Sequence, residues 1–180
     1  MSSAADAISA VSYTQRVLGT LPSNHPIKRI VTMNESLVCV GGVRRTAAVA
    51  RIGDVRDIRR IAATAKAANC GNCGEYAAVA FDYLLLTGCT YDIEYALYEA
   101  PGDHAFVIVG RPPATDSSKP ASWGPDVVVC DAWKGEVISA ADYWVRMPSF
   151  PNAVHAPVIR LRHPDRRGDY PDVLSSTRPA

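Results

Sequence analysis

The stretch Asn69-Cys70-Gly71-Asn72-Cys73-Gly74-Glu75-Tyr76-Ala77 sets a cysteine where a Gly/Asn-rich turn runs into a helix-forming segment. A thiol there meets free backbone N–H groups and the positive end of a helix dipole, which favour thiolate over thiol. Asn72 fits an N-cap and Glu75 stands three residues on, so a capping box makes Cys73 the first helical residue. His104 directly precedes the run Ala105-Phe106-Val107-Ile108-Val109, and Asp131 directly follows Val127-Val128-Val129-Cys130. If these runs are adjacent antiparallel strands, the start of one lies beside the end of the other. Asp131 then accepts from one ring nitrogen of His104 while the other faces the thiol, the arrangement of thiol hydrolases and transferases. In that chemistry Cys73 attacks an acyl or carboxamide carbon. His104 takes the thiol proton and returns it to the leaving amine or ammonia. Asp131 orients the imidazole and stabilises imidazolium. Backbone N–H groups at the helix start, Cys73's own included, meet the oxyanion. The side-chain amides of Asn69 and Asn72 are candidate further donors, and Trp133 is a candidate cover that keeps water off the His–Asp bond.

Blander readings exist for each residue. Cys70 and Cys73 form a C-x-x-C, which a redox pair or a zinc site would use. A thioredoxin-type motif would follow a strand, however, and here a helix precedes it. Zinc would want a second ligand pair, while Cys39, Cys89 and Cys130 are isolated, so neither metal nor cofactor is expected. Cys70 reads as a turn residue or a partner in reversible oxidation. Glu75 reads as a capping residue, Tyr143, Trp144 and Trp133 as core by default, and His25, His155 and His163 as surface residues. Asp103 and Asp126 are second choices for the role of Asp131.

The elements that must position these residues follow from periodicity. A helix is expected over 4–21, with Ile8, Val11, Val17, Leu18 and Leu21 inward. Residues 27–33 are ambiguous, and Leu37-Val38-Cys39-Val40 reads as a short buried strand stopped by Gly41-Gly42. A helix from Asp54 turns Val55, Ile58, Ile61, Ala62 and Ala65 inward and Arg56, Arg59 and Arg60 to solvent. The helix from Cys73 carries Ala77, Ala80, Tyr83 and Leu84 on its inner face and stops at Thr87-Gly88. Beyond it the period becomes two, with strands over 91–98, 105–109, 127–130 and 158–161, a Pro/Ser-rich loop over 111–125, and a short helix over 140–146 capped by Ser139. Helices followed by an antiparallel meander make an α+β fold with the nucleophile helix packed on the sheet. One domain is expected over 1–165, with a polar, proline-dotted tail over 166–180.

A net charge of +1 gives no electrostatic case for nucleic acid. The arginines from Arg44 to Arg60 alternate with apolar residues and with Asp54 and Asp57, as on a solvated helix face. No apolar run is long enough to span a bilayer, and residues 1–10 lack the basic and apolar regions of a Sec signal. Five cysteines, an odd number, argue against a disulfide scaffold and for a reducing compartment.

Three motifs, Gly71-Asn72-Cys73-Gly74-Glu75-Tyr76-Ala77, Asp103-His104-Ala105-Phe106-Val107 and Val129-Cys130-Asp131-Ala132-Trp133, together resemble the Cys–His–Asp motifs of papain-like and transglutaminase-like hydrolases. The nearest flavour is the compact bacterial effector branch, with YopT-type proteases and the glutamine-deamidating domain of Pasteurella multocida toxin. The likeness covers about 70–133, a third of the chain. It implies a cofactor-free cysteine hydrolase, Cys73–His104–Asp131, most simply a glutamine deamidase. A protease or transglutaminase with the same triad is the alternative, and a non-catalytic or redox module using Cys70 and Cys73 is one of another class. It further implies a monomer made in the bacterial cytoplasm, exported without a Sec signal and acting on a protein in the target-cell cytosol, with an immunity protein or chaperone as possible partner. Two departures stand out. Ala67 occupies the place of papain's upstream oxyanion glutamine, and the Arg-Gly-Gly lead-in of arylamine N-acetyltransferases is missing.

Overall fold

The computed structural model describes residues 2–23, 27–28, 35–47, 52–98, 104–147 and 156–163. Its helices are α1 (Ser3–Leu18), α2 (Glu35–Ala47), α3 (Val55–Ala68), α4 (Cys73–Leu86) and α5 (Tyr143–Arg146). Its strands are β1 (Ile93–Tyr98), β2 (His104–Val109), β3 (Val128–Asp131), β4 (Glu136–Ser139) and β5 (Val158–His163). The strands form one antiparallel sheet in the order β4-β3-β2-β1-β5, a four-stranded meander flanked on the β1 side by the returning β5. The fold is α+β, as the order of periodicities implied.

Helix α4 is the centre. Every residue from Gly74 to Asp82 is buried, and so is Leu84. A helix apolar all round must be enclosed, and α4 lies among α1, α3 and the central strands β1 and β2. Ala77, Ala78 and Ala80 keep its girth small enough for that. Tyr13 of α1 stacks on Tyr83 with ring centroids 4.6 Å apart, and the Tyr76 hydroxyl donates to the Leu18 and Gly19 carbonyls at the end of α1. Residues 3–18 are therefore part of the core. The sheet buries both faces: Tyr95, Val107, Val109, Val128 and Cys130 face the helices, while Phe106, Ile108, Val129 and Ile138 pack with Trp123 and Tyr143 on the other side.

Several elements depart from expectation. Residues 37–40 belong to helix α2, not to a strand. Val40 and Val43, one helical turn apart, are buried, while Val38 between the turns is 71% exposed. Packing on α3 overrides the local strand propensity and the two glycines, each worth about 1 kcal/mol against a helix. In α1 the inward face is Ala7, Ala10, Val11, Thr14 and Leu18. Ile8 is exposed, because the close packing on α4 favours small residues at the contact, and Leu21 is exposed beyond the helix, which ends at Leu18 on Gly19 rather than at 21. Arg59 is not simply solvated: with Lys66 it pairs with the buried Asp82 of α4, at 3.2 and 2.8 Å. His163 is buried at the end of β5 rather than on the surface. Strand β4 has no counterpart in the expected set. His25, Asp103, His155 and positions 166–180 lie outside the described residues. Among the described residues no helix is long and apolar enough to cross a membrane.

Candidate functional site

The turn that leads into Cys73 is over-determined. Helix α3 ends on Asn69 in the left-handed region, φ 51 and ψ 41, a conformation asparagine tolerates better than most residues. The chain then passes so close to α4 that a Cβ on Gly71 would lie 2.6 Å from Glu75 Cβ. Gly71 exchanges hydrogen bonds with Ser23: the Ser23 N–H donates to the Gly71 carbonyl (2.9 Å), and the Gly71 N–H to Ser23 Oγ (3.2 Å). Glu75, fully buried, accepts the Asn72 N–H on Oε2 (2.8 Å) and Arg44 Nε on Oε1 (3.1 Å). Asn72 caps α4 as expected, but it closes its half of the capping box only loosely, with Oδ1 buried and lacking a hydrogen bond. The Tyr95 hydroxyl donates to the Gly74 carbonyl at 3.2 Å. The Tyr76 N–H closes the first helical turn on the Asn72 carbonyl (2.9 Å). The N–H groups of Cys73 and Gly74 lie ahead of that turn, where a helix offers no internal acceptor, so they are available to an oxyanion.

His104 is the first residue of β2, and Asp131 the last of β3. The β2–β3 register pairs Val107 with Cys130. Continued one step it sets Asp131 opposite Phe106, on the diagonal from His104 and on the same face. The result is a hydrogen bond of 2.8 Å between His104 Nε2 and Asp131 Oδ2, with the side chains 4% and 0% exposed. Asp131 Oδ1 accepts the Lys134 N–H at 3.0 Å, which holds the carboxylate in place. Cys73, a half-buried free thiol, lies close enough to the His104 side chain to help raise its pKa. With Nε2 committed to Asp131, the ring nitrogen left for the thiol is Nδ1. The indole of Trp133 stands edge-on to the imidazole, centroids 5.3 Å apart.

Electrostatics at His104 are a contest. Burial pushes its pKa down. The Asp131 charge and hydrogen bond, then the contact with Cys73, outweigh burial and carry it from 6.5 up to about 9. The imidazolium is therefore the form that this environment favours at neutral pH. Such an array can hold a thiolate–imidazolium pair, deliver the Nδ1 proton to a leaving group and receive an oxyanion on backbone amides.

The structure thus brings Cys73, His104, Asp131, Asn72 and Trp133 together. Asn69 it leaves as an exposed helix-ending residue, its N–H donating to the Lys66 carbonyl at 3.3 Å. Cys70 requires a correction: it is disulfide-bonded to Cys39, Cα atoms 6.4 Å apart, and does not pair with Cys73. The reading of the odd cysteine count as evidence against disulfides also gives way, because Cys73, Cys89 and Cys130 are the free thiols beside that bond. Cys39 and Cys70 meet because α2 packs on α3 next to the turn that ends α3, which no local spacing announces. The Arg44–Glu75 ion pair was likewise invisible, and only Glu75's burial inside an apolar helix hints that it needs a cation. Among the described residues, no group of three or more His, Cys, Asp or Glu is placed to hold a metal ion. Compared with protein-family models, curated proteins and solved structures, the chain matches none.

Proposed function

We propose that the chain is a cysteine-dependent amidohydrolase of papain-like or transglutaminase-like design. The observation that carries this reading is the buried His104 imidazole, hydrogen-bonded to Asp131 and within interaction range of Cys73 at a helix start. Cys73 thiolate adds to a carboxamide carbon, and the oxyanion is met by the N–H groups of Cys73 and Gly74. His104 then gives its proton to the departing nitrogen, leaving a thioester. Water, deprotonated by His104, adds to the thioester; its collapse releases a carboxylate and regenerates the thiolate. With a glutamine side chain the products are ammonia and glutamate. Transamidation is the same route with an amine in place of water.

We favour a protein glutamine over a peptide bond because the loops that the sequence adds to the core are short for a long peptide groove. What supports a target-cell protein as substrate is the motif resemblance. The test is to incubate a candidate target with the protein and weigh the target intact. A gain of about one mass unit with ammonia release reports deamidation, and fragments report proteolysis. Cys73→Ala is expected to abolish either, and a Cys73→Ala protein of full activity ends the reading.

A further inference from the structure

Helix α2 grips the nucleophile's turn at two points. Cys39 is bonded to Cys70, three residues before Cys73. Arg44 Nε lies 3.1 Å from Glu75 Oε1, and the same carboxylate holds the Asn72 N–H, one residue before Cys73. Glu75 has no exposure to water, so Arg44 supplies charge where solvent does not. The Gly41-Gly42 pair weakens the helix, and among its described side chains Val38 is 71% exposed while Val40 and Val43 are buried. Its two tethers both end on the segment that frames the Cys73 and Gly74 amides.

We propose that α2 is a clamp on the nucleophile's turn, with Arg44 a positioning residue acting through Glu75 and the Cys39–Cys70 disulfide its thiol-reducible fastening. The proposal rests on reading Cys73 as the nucleophile. Arg44 fixes the Glu75 carboxylate, Glu75 fixes Asn72, and the frame of the oxyanion amides follows. A dithiol reductant opens the fastening with two electrons. The Cys39–Cys70 bond breaks, each sulfur takes a hydrogen from the reductant, and the reductant closes its own disulfide. Cys73 takes no part in that exchange. Opening the bond frees α2 to move, weakens the Arg44–Glu75 contact and lowers the reactivity of Cys73.

The experiment uses the full chain and iodoacetamide, and it reads the labelling rate of Cys73 by peptide mass, with melting temperature alongside. Denatured without reductant, the protein should label at three cysteines, Cys73, Cys89 and Cys130, and at all five after reduction. Relative to the untreated protein, Cys73 labelling is expected to fall about fivefold in dithiothreitol-reduced protein, in Cys39→Ser/Cys70→Ser and in Arg44→Met, a fraction of the roughly 100-fold that a 1 Å misplacement of reacting groups can cost. Arg44→Lys should recover most of the rate, which a purely structural defect would not. Dithiothreitol should leave the double-serine variant unchanged. Five labelled cysteines before reduction, or wild-type rates in both reduced protein and Arg44→Met, would overturn the clamp. If the double-serine variant does not fold, those two arms decide. Failure of the underlying reading registers separately, as His104→Ala labelling at Cys73 as fast as wild type.

Discussion

Asp131→Asn separates the charge of the side chain that holds His104 from its shape. Asparagine keeps an oxygen for the Lys134 N–H, so the β3–β4 turn should survive. What it loses is the charge that, with its hydrogen bond, lifts His104 from 6.5 to about 9 against the downward pull of burial. That rise favours the imidazolium by about 3 kcal/mol, at ~1.4 kcal/mol per pH unit. Without the charge, burial dominates and the midpoint should drop below 6.5. At pH 7.5 the imidazolium-to-imidazole ratio then goes from roughly thirty to one to below roughly one to ten. The ring titration of His104, followed by NMR in both proteins, measures this directly. Turnover should fall by about 10²- to 10⁴-fold, as when an imidazole is held in the wrong tautomer, and its alkaline limb should move down from near pH 9. Stability carries the same signature. Because the folded-state pKa is raised, the contribution is complete below pH 6.5 and is lost as pH rises through about 9. Wild-type stability should therefore decline across that window, and Asp131→Asn should flatten the decline. An unchanged His104 midpoint in Asp131→Asn would refute the assignment of the charge as the cause.

Three further outcomes follow from named contacts. Gly71→Ala puts a Cβ 2.6 Å from Glu75 Cβ, so the turn must shift; a loss of about 1–3 kcal/mol in urea unfolding is expected, with a larger proportional loss of activity. Arg111→Met breaks a buried two-pronged pair with Glu94 (2.6 and 2.7 Å) and leaves Arg162 at 3.3 Å as a poorer partner. It should cost about 3 kcal/mol, a drop of roughly 6–12 °C in melting temperature, with the Cys73 labelling rate at pH 7.5 unchanged. Trp133→Ala removes the ring edge over His104 and lets water compete for the His–Asp bond. The His104 midpoint should fall toward 6.5 and turnover should fall about tenfold, as expected when one general acid–base contribution is weakened.

Legibility tracked the distance over which a signal acts. The cap at Asn72, the stripe Val55–Ile58–Ile61–Ala62–Ala65 and the strand runs before Asp131 and after His104 are local, and each landed within about two residues of the observed element. The His104–Asp131 pairing was readable because an antiparallel neighbour turns two strand ends into a geometric statement. The contacts made by α2 were not. Its strand-like residues and glycines speak against a helix, and packing against α3 decides otherwise. Cys39 and Arg44 reach partners 31 residues away that no periodicity connects. Strand β4 is four residues at a sheet edge, too short for an alternation to register. The network of Glu94, Arg111 and Arg162 needed three distant segments to be assembled before its charges made sense together.

The enclosure of α4 has a consequence on the timescale of local opening. Amides from Ala77 to Leu84 sit inside the helix ladder and the core, and reach deuterated solvent only through large-scale unfolding. The amides of Cys73 and Gly74 lie in the first turn and have no acceptor in the helix. A deuterium-exchange map should therefore show a steep rise in protection over the first turn of α4. The Cys73 sulfur stands on that boundary, fixed in position by the part of the chain that opens last.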